Sequence, residues 1–431
     1  MRVVHILPSL TSREGGGGPV VSTVALARGI SDAGWETEIW ATGYDLAHRV
    51  ISADKGNPTT LVFPHYGHRW FYSPALGRHI QENLASFDIV NAHELWTYGA
   101  LMAMRQAQPG LGRALCLLHV HGALHPWALH HHGYRKRLYS LILHPLVNKV
   151  DAVRVLNRRE EDSARQWRLD VPFWVIPNFV EPLPVEAGSF RKAHSIPPGV
   201  PLITVVSRFH PVKRLVDLCE VFELVQRDLG DVHFAFAGDY GCSYGKTVLK
   251  AVQRRALRNV LMLGHCGGRQ KWELLADSTV FCQFSIQEGH SAAITEALAA
   301  GCPVAISTGC NFDEVSEYGA GLVVDTVPAM AQGVVKILRD GQLRLQMSSN
   351  ARRLVSERFT KERVVRQYMT LAEEAVRNLR ATRGWGRLPT PPTSIAPQEG
   401  RPVHTNHPHS APPSSHRMSS LRLSALGARG D

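Results

Sequence analysis

The sequence lacks the features that would place it in a membrane or outside the cell. No apolar run approaches the roughly 20 residues that a membrane-spanning helix needs, and residues 1–10 have the pattern of a short strand rather than a secretory signal. The seven cysteines are dispersed and include no Cys-x-x-Cys pair, so neither a disulfide framework nor a zinc site is indicated. We therefore expect a cytoplasmic protein with reduced thiols.

Two short binding motifs are also absent. No Asp-x-Asp pair occurs, so the acidic ligands that commonly hold a divalent cation are missing. The glycine run at residues 15–18 does not complete Gly-x-Gly-x-x-Gly, because Val20 or Val21 occupies the last position. The sequence therefore predicts no metal and no dinucleotide cofactor.

What the chain does contain is enough apolar material for more than one core. It has 431 residues, of which 44% are hydrophobic and 20% charged, and domains usually run to about 100–200 residues. Two domains are expected. The net charge of +11 favours anionic partners such as nucleotide diphosphates, acidic lipid headgroups or nucleic acid. Nucleic acid is the weakest of these, because the basic residues are scattered and lack an aromatic stacking pattern.

Short apolar strands alternate with helical segments along most of the chain, which is typical of parallel sheets covered on both faces. Strands are predicted at 3–7, 37–42, 89–92, 114–119, 152–156 and 173–176, and again at 202–206, 233–237, 260–263, 279–283 and 304–307. A helix is predicted from Pro19 to about Ala33, ended by Gly34. The fold class is therefore α/β, with two Rossmann-like units.

A proline-bearing stretch at 177–201 separates the two series of strands and is the expected hinge. We predict a first domain over 1–180, a second over 181–357 and an amphipathic terminal helix over 358–383. Residues 384–431 are rich in Pro, Ser, His and Arg and are predicted to be disordered.

The segment with the clearest chemistry is residues 285–304, which predicts a strand end, a tight loop and a helix from about Ser291. Glu296 lies near the positive end of that helix, where a carboxylate can accept two ribose hydroxyls while free backbone N–H groups bind phosphate. Glu288, followed by Gly289 in the loop, faces the sugar in this interpretation. For two isolated acids the better explanation is an exposed helix-surface charge at Glu296 and a helix-approach acid at Glu288.

Cations follow the first strand of the second domain. Arg208 and Lys213 lie just beyond it, and parallel sheets bind ligands at the carboxyl ends of their strands, so the pair can neutralise a diphosphate. The glycine run, with Gly16, Gly17 and Gly18 before a helix, allows close approach of an anion. Solvated loop charges and a flexible surface loop are the alternatives.

Histidines cluster in the first half. His119 and His121 end a predicted strand and open a loop, where His121 can hydrogen-bond a transferred sugar. A metal at His119 and His121, or at the run 130–132, is a weaker hypothesis because no acidic ligands accompany them.

In combination these residues resemble the retaining glycosyltransferases of family four, which have the GT-B architecture of two Rossmann-like domains facing each other across a cleft. The most specific match is Glu288 followed by Glu296, the family's E-x7-E. The glycine loop, His121, the linker at 175–181 and the Arg-x4-Lys pair Arg208 and Lys213 agree with it. The resemblance covers about residues 2–380.

The resemblance implies roles for these residues. Arg208 and Lys213 would hold the donor diphosphate, Glu296 the ribose and Glu288 the donor sugar, with His121 touching the sugar ring. Gly289, His290 and Ser291 complete the donor loop. The terminal helix would cross back to the first domain.

Three positions depart from the family pattern. Ser207 stands for a glycine, His290 for an aromatic residue, and Phe179 for a glycine in the linker. None of them removes a charged group, so the departures bear on donor preference more than on activity.

The implied activity is metal-independent transfer, with retention, of a sugar from a nucleotide-diphosphate sugar to a glycan or lipid-linked acceptor, in cell-surface polysaccharide synthesis. A catalytically silent sugar-nucleotide binder and a nucleotide-sugar epimerase are the alternatives. The basic amphipathic stretch at 134–150 predicts peripheral contact with the inner face of the plasma membrane, and an ordinary packed helix is the competing interpretation.

Overall fold

The computed structural model describes residues 1–10, 17–43, 49–51, 58–66, 70–107, 114–125, 133–383 and 421–423. These residues form two α/β domains, each built on one largely parallel sheet. The predicted fold class of two Rossmann-like units is confirmed.

The sheet of the first domain has eight strands in the order β3-β4-β2-β1-β5-β6-β7-β8. All neighbours are parallel except β3 and β4. The strands are β1 (Arg2–Ile6), β2 (Glu36–Gly43), β3 (Arg49–Ile51), β4 (Thr59–Pro64), β5 (Ile89–His93), β6 (Leu115–His119), β7 (Ala152–Val155) and β8 (Phe173–Val175). Strands β1, β5 and β6 are almost wholly buried, because helices cover both faces.

The sheet of the second domain has seven strands in the order β14-β13-β12-β9-β10-β11-β15. They are β9 (Leu202–Val206), β10 (His233–Ala237), β11 (Val260–Gly264), β12 (Val280–Gln283), β13 (Val304–Ile306), β14 (Gly321–Val323) and β15 (Leu421–Leu423). Only β15, from the end of the chain, runs antiparallel to its neighbour.

The helices lie between the strands in the alternation that the sequence predicts. Those of the first domain are α1 (Gly18–Asp32), α2 (Pro74–Asn83), α3 (Tyr98–Gln106), α4 (Gly133–Val147) and α5 (Arg158–Arg165). The rest are α6 (Ser189–Ala193), α7 (Leu215–Leu229), α8 (Ser243–Arg254), α9 (Gly268–Asp277), α10 (Ala292–Ala299), α11 (Glu314–Tyr318), α12 (Val327–Arg339), α13 (Gly341–Arg358) and α14 (Lys361–Arg383).

The terminal helix α14 packs on the first domain although it follows the second in sequence. Its Val364, Tyr368 and Ala372 are buried in one cluster with β1, β5 and β6 residues. A Cβ at Gly29 of α1 would lie 2.6 Å from Cγ2 of Val365, so a glycine is needed where the two helices meet. The helix therefore connects the second domain back to the first.

Three strands were not predicted from the sequence. They are β3, β4 and β14, which have three to six residues and no clear periodic pattern. In the stretch predicted to be disordered, residues 421–423 form β15 against β11, and the remainder of 384–431 lies outside the described residues. Among the described residues no helix is long and apolar enough to cross a bilayer.

Candidate functional site

The carboxyl ends of the two sheets face each other and meet at a pair of glycines. Gly122 follows β6, and Gly289 follows β12. A Cβ on Gly122 would lie only 3.6 Å from Cα of Gly289, and Nε2 of Gln287 donates to the Gly122 carbonyl at 3.4 Å. The loops after the strands thus form the two walls of one cleft, as expected for ligand sites in parallel sheets.

The second wall centres on the carboxylate of Glu288. Its Oε1 accepts a hydrogen bond from the ammonium of Lys213, from Nε2 of Gln283 at 3.0 Å and from Oγ of Ser285 at 2.5 Å. The side chains of Lys213 and Glu288 are only 11% and 13% exposed. This is an enclosed ion pair at the carboxyl ends of β9 and β12.

The backbone of the Glu288 loop is also held. Its N–H donates to the Gly309 carbonyl at 2.8 Å, and Nδ2 of Asn311 donates to the Glu288 carbonyl at 2.5 Å. A Cβ on Gly309 would lie 2.3 Å from the Ile286 carbonyl oxygen, so only glycine fits there. These supports have no signal in the sequence, because Gly309 and Asn311 reach the Glu288 loop only when β12 and β13 pair.

Glu296 lies on the inner part of α10 and also pairs with a lysine. Nζ of Lys271, on α9, donates to its Oε1 at 2.6 Å. Burial raises the pKa of Glu296, and the nearby Lys271 opposes that rise. Lys271 was not predicted, because nothing in its local sequence indicates the contact. Of the two lysine–glutamate pairs, Lys213–Glu288 has its acid in the loop before α10, and Lys271–Glu296 has its acid within α10.

Ser291 caps that N-terminus. Its Oγ accepts from the N–H of Ile294 at 3.4 Å and donates to Oε1 of Gln283 at 2.9 Å. The cap orients the first turn of α10, whose remaining N–H groups are available to an anion.

Arg208 differs from Lys213 in being exposed, and within the described part of the chain its guanidinium makes no ion pair. The turn that carries it rests on Gly238, where a Cβ would lie 1.9 Å from the Ser207 carbonyl oxygen. Gly238 has φ of +149°, so both its conformation and its surroundings require glycine. A free guanidinium on a firmly seated turn suits an incoming anion.

The glycine run is described only in part. Gly17 is the N-cap of α1 and Gly18 its first residue, and a Cβ at Gly18 would meet nothing within 4 Å. Gly16 lies outside the described residues, as do His130–His132.

On the first wall, His121 occupies the left-handed backbone region with φ of +48°, next to Gly122 at +79°. Its Nε2 is hydrogen-bonded to Nδ1 of His93 at 3.0 Å. Burial lowers the pKa of His121 to about 3, so the imidazole is neutral near pH 7.

The ring of His290 lies in an aromatic cluster of the second domain. It packs against Phe312 and Phe359, with centroid distances of 4.8 and 5.3 Å, and both ring nitrogens are buried without a partner among the described residues. Burial lowers its pKa to about 3. The side chain is thus part of an aromatic cluster and does not join the Lys213–Glu288 group.

Behind His121 lies a set of buried histidines that have the geometry of a metal site. Ligand atoms of His93, His119 and His121 all lie within 4.8 Å of one another. However, Nδ1 of His119 is 3.2 Å from a guanidinium nitrogen of buried Arg154, and its Nε2 is 2.8 Å from Oδ1 of Asn91. Because both nitrogens of His119 are already engaged, one of them beside a fixed positive charge, the cluster is better explained as a hydrogen-bonded network than as a cation site.

Comparison with known proteins agrees with this arrangement. The family model described as "Glycosyl transferase 4-like domain" matches residues 17–178, and the one described as "Glycosyl transferases group 1" matches residues 187–354. N-acetyl-alpha-D-glucosaminyl L-malate synthase of Bacillus anthracis is 28% identical over 192 residues, or 44% of this chain and 49% of that protein. The chain thus spans about half the length of this curated relative.

Solved structures extend the similarity over both domains. Sucrose-phosphate synthase from Thermosynechococcus elongatus superimposes with a TM-score of 0.72 at 17% identity, covering 88% of this chain and 100% of that one. HepE of Anabaena, in complex with UDP-glucose, gives a TM-score of 0.66 at 18% identity, covering 86% and 99%. At these identities the structural match shows the fold, and the two family models, which together span most of the chain, show that it belongs to the group 1 glycosyltransferases.

Proposed function

We propose that this protein is a retaining, metal-independent glycosyltransferase that moves a sugar from a nucleotide-diphosphate sugar to a glycan or lipid-linked acceptor. The observation that carries the proposal is the enclosed Lys213–Glu288 pair beside the capped N-terminus of α10. That arrangement offers cationic and N–H donors for a diphosphate next to a carboxylate for a sugar.

The donor would lie along the second wall. Arg208, Lys213 and the α10 N-terminus would bind the diphosphate, and Glu296 would accept hydrogen bonds from ribose hydroxyls. Glu288 would then face the sugar, with His121 opposite it on the first wall. HepE, which shares the fold, was solved with UDP-glucose, and this supports a nucleotide sugar as the class of donor.

In the proposed reaction the acceptor hydroxyl attacks the anomeric carbon from the face that the diphosphate leaves. The bond from the anomeric carbon to the diphosphate oxygen breaks, the bond to the acceptor oxygen forms, and a diphosphate oxygen takes the acceptor proton. Lys213, Arg208 and the helix N-terminus stabilise the charge that develops on the leaving group. No covalent intermediate on the protein is required.

The same cations support metal independence. They supply positive charge where a divalent cation would otherwise neutralise the diphosphate, and the three-histidine cluster lies beside the buried guanidinium of Arg154. We expect transfer to persist in excess EDTA. Loss of activity on chelation, restored by one added divalent cation, would contradict this part of the proposal.

An exposed apolar surface on the first domain supports a membrane-proximal acceptor at the cytoplasmic face, consistent with cell-surface polysaccharide synthesis. On α4, Leu138, Leu141 and Ile142 are 70%, 72% and 55% exposed. Beside them the rings of Trp70 and Tyr72 are exposed, stacked 6.0 Å apart and nearly parallel. In the sequence, three basic residues at 135–137 precede these apolar positions, a combination that suits anionic lipid.

Vesicle co-sedimentation tests this surface. Leu138→Ser with Leu141→Ser should reduce binding to anionic vesicles, whereas Leu345→Ser, at a 74% exposed leucine of the second domain, should not. Binding that is independent of anionic lipid, or equal in all variants, would contradict the membrane contact.

A donor screen tests the activity itself. A ligand that binds only the folded protein raises its thermal midpoint, so UDP-glucose, GDP-mannose and ADP-glucose are compared by thermal shift, followed by an assay of nucleotide release and sugar transfer. Binding without transfer would identify a silent sugar-nucleotide binder. Conversion of the donor to an isomer without transfer would identify an epimerase.

A further inference from the structure

The first turn of helix α5 contacts both walls of the cleft at once. The helix belongs to the first domain and begins after its N-cap, Asn157, just beyond β7. The Asn157 side chain is buried, and its Oδ1 accepts from the N–H of Glu160 at 2.8 Å. This part of the contact only stabilises the helix end.

The other half of the Asn157 amide reaches across to the second domain. Its Nδ2 donates to the Gly289 carbonyl at 2.6 Å and to the Asn311 carbonyl at 3.2 Å. Gly289 follows Glu288 directly, and Asn311 itself holds the Glu288 carbonyl. The Asn157 amide therefore holds the backbone directly after Glu288, whose carboxylate would face the donor sugar in the proposed function.

Glu160 is hydrogen-bonded to the loop of the first wall. It is 3% exposed, and its Oε1 accepts from the N–H of Gly122, while Oε2 accepts from the N–H of Leu156 at 2.6 Å. Within the described residues this carboxylate has no ion-pair partner within 4 Å. Its hydrogen bond to Gly122 fixes the turn in which His121 is held at positive φ, a conformation that is unfavourable for a non-glycine residue.

Arg159, between these two residues, adds a third contact. Its guanidinium binds both carboxylate oxygens of Asp313, with Nε 2.6 Å from Oδ2. Three side chains from the N-cap and first turn of one helix thus engage the Glu288 loop, the segment after β13 and the His121 turn.

We infer that this turn holds His121 and Glu288 in register across the cleft, with Asn157 and Glu160 as positioning residues for the transfer reaction. The inference rests on the proposed function for its catalytic consequence only. The contacts themselves can be tested without a donor.

Hydrogen exchange in the full-length protein provides that test. Asn157→Asp keeps the N-cap acceptor but replaces the donor with an oxygen that faces two carbonyls. It should speed exchange in residues 286–290 by about tenfold, the equivalent of losing hydrogen bonds of this kind. Glu160→Gln should do the same for residues 120–124, because one of two N–H groups loses its acceptor. Glu161→Gln is the matched control, because Glu161 lies in the same turn and its side chain pairs, among the described residues, only with Arg165.

Kinetics provide the second readout. Both positioning variants should lower kcat about tenfold and leave the dissociation constant for UDP within about twofold, because the nucleotide would bind the second domain alone. A purely structural role would instead lower the melting temperature and leave both loops and kcat unchanged in the folded protein.

The outcomes separate the two proposals. If the unsubstituted protein transfers no sugar from any donor in the panel, the proposed function is wrong, and the exchange experiment still decides the register role. If Asn157→Asp leaves exchange at 286–290 at the level of Glu161→Gln, the inference is overturned whatever the activity.

Discussion

The two walls of the cleft are built from opposite kinds of polar chemistry. On the second wall, Lys213–Glu288 and Lys271–Glu296 are compact ion pairs. On the first wall, buried imidazoles are hydrogen-bonded to one another, and burial lowers the pKa of His5 and His121 to about 3. One wall carries lysine–glutamate ion pairs, and the other carries neutral imidazoles around the buried guanidinium of Arg154.

This difference suits two separate roles, diphosphate binding on the second wall and sugar contact on the first. Charge is needed where a diphosphate binds and leaves, and electrostatic groups act most strongly when they are preorganised and shielded from water. A neutral imidazole in a strained turn can contact a sugar hydroxyl without competing for the anion. The effects of substitutions should therefore differ between the walls.

The largest expected effect is on the charged wall. Lys213→Ala should slow turnover about a hundredfold or more, because it removes a preorganised cation from the leaving diphosphate and leaves Glu288 buried without its counter-ion. Steady-state kinetics with the donor found by the screen measure the change. Lys250→Ala, at an exposed lysine of α8, is the control, and near-normal turnover in Lys213→Ala would remove the second wall from the mechanism.

Glu296→Gln should weaken binding of UDP about tenfold or more, because hydrogen bonds to a charged acceptor are worth about 1.5–3 kcal/mol. Isothermal titration calorimetry with UDP measures it. Glu374→Gln, at an exposed position of α14, should bind UDP as the unsubstituted protein does. Equal affinity in Glu296→Gln would show that this acid does not bind the ribose.

Acidification should lower the stability of the folded protein through the buried histidines of the first wall. Burial lowers the folded-state pKa of His5 and His121 from 6.5 to about 3, so below pH 6.5 the unfolded state binds more protons than the native state. Stability is then lost as pH falls, by about 1.4 kcal/mol per pH unit for each such histidine. Urea unfolding at pH 7.5, 6.5 and 5.5 measures the slope, which His5→Leu should reduce by about one proton.

Glu296, on the second wall, should change the pH dependence of stability in the opposite direction. Burial raises the folded-state pKa of Glu296, so its native form retains a proton above the unfolded pKa and its contribution to stability declines as pH rises through that window. Each substitution should change the slope of the unfolding free energy against pH. If Glu296→Gln and His5→Leu change that slope with the same sign, relative to the unsubstituted protein, the contrast between the walls is contradicted.

The smallest effect is expected at His290, which packs with Phe312 and Phe359. His290→Phe should raise the free energy of unfolding by about 1 kcal/mol, because it removes two buried nitrogens that lack partners among the described residues. Donor affinity should not change. A loss of UDP-glucose binding in this variant, with stability preserved, would instead support a direct role in the donor loop.

Much of the fold follows from local pattern. The strands at 202–206 and 233–237 were predicted with the bounds observed, and Pro19 and Gly34 mark the limits of α1 correctly to within about a residue. These signals are local, because a buried strand and a helix end each need particular residues within a few positions. The strands β3, β4 and β14 lack such a pattern, and β15 pairs across more than 150 residues of sequence.

The residues of the site also include some that a local pattern indicates and some that it does not. The sequence shows which charged residues follow each strand, so Arg208, Lys213, Glu288 and Glu296 were candidates from their positions in combination and from the family resemblance. Their partners depend on the folded chain: Lys271 for Glu296, and Gln283 and Ser285 for Glu288. The same holds for the packing of His290 against two phenylalanines. The physical reason is that a side chain's pKa, partner and orientation depend on which segments the sheets bring within a few ångströms, and Asn157 and Glu160 have no local signal until α5 is placed against both walls.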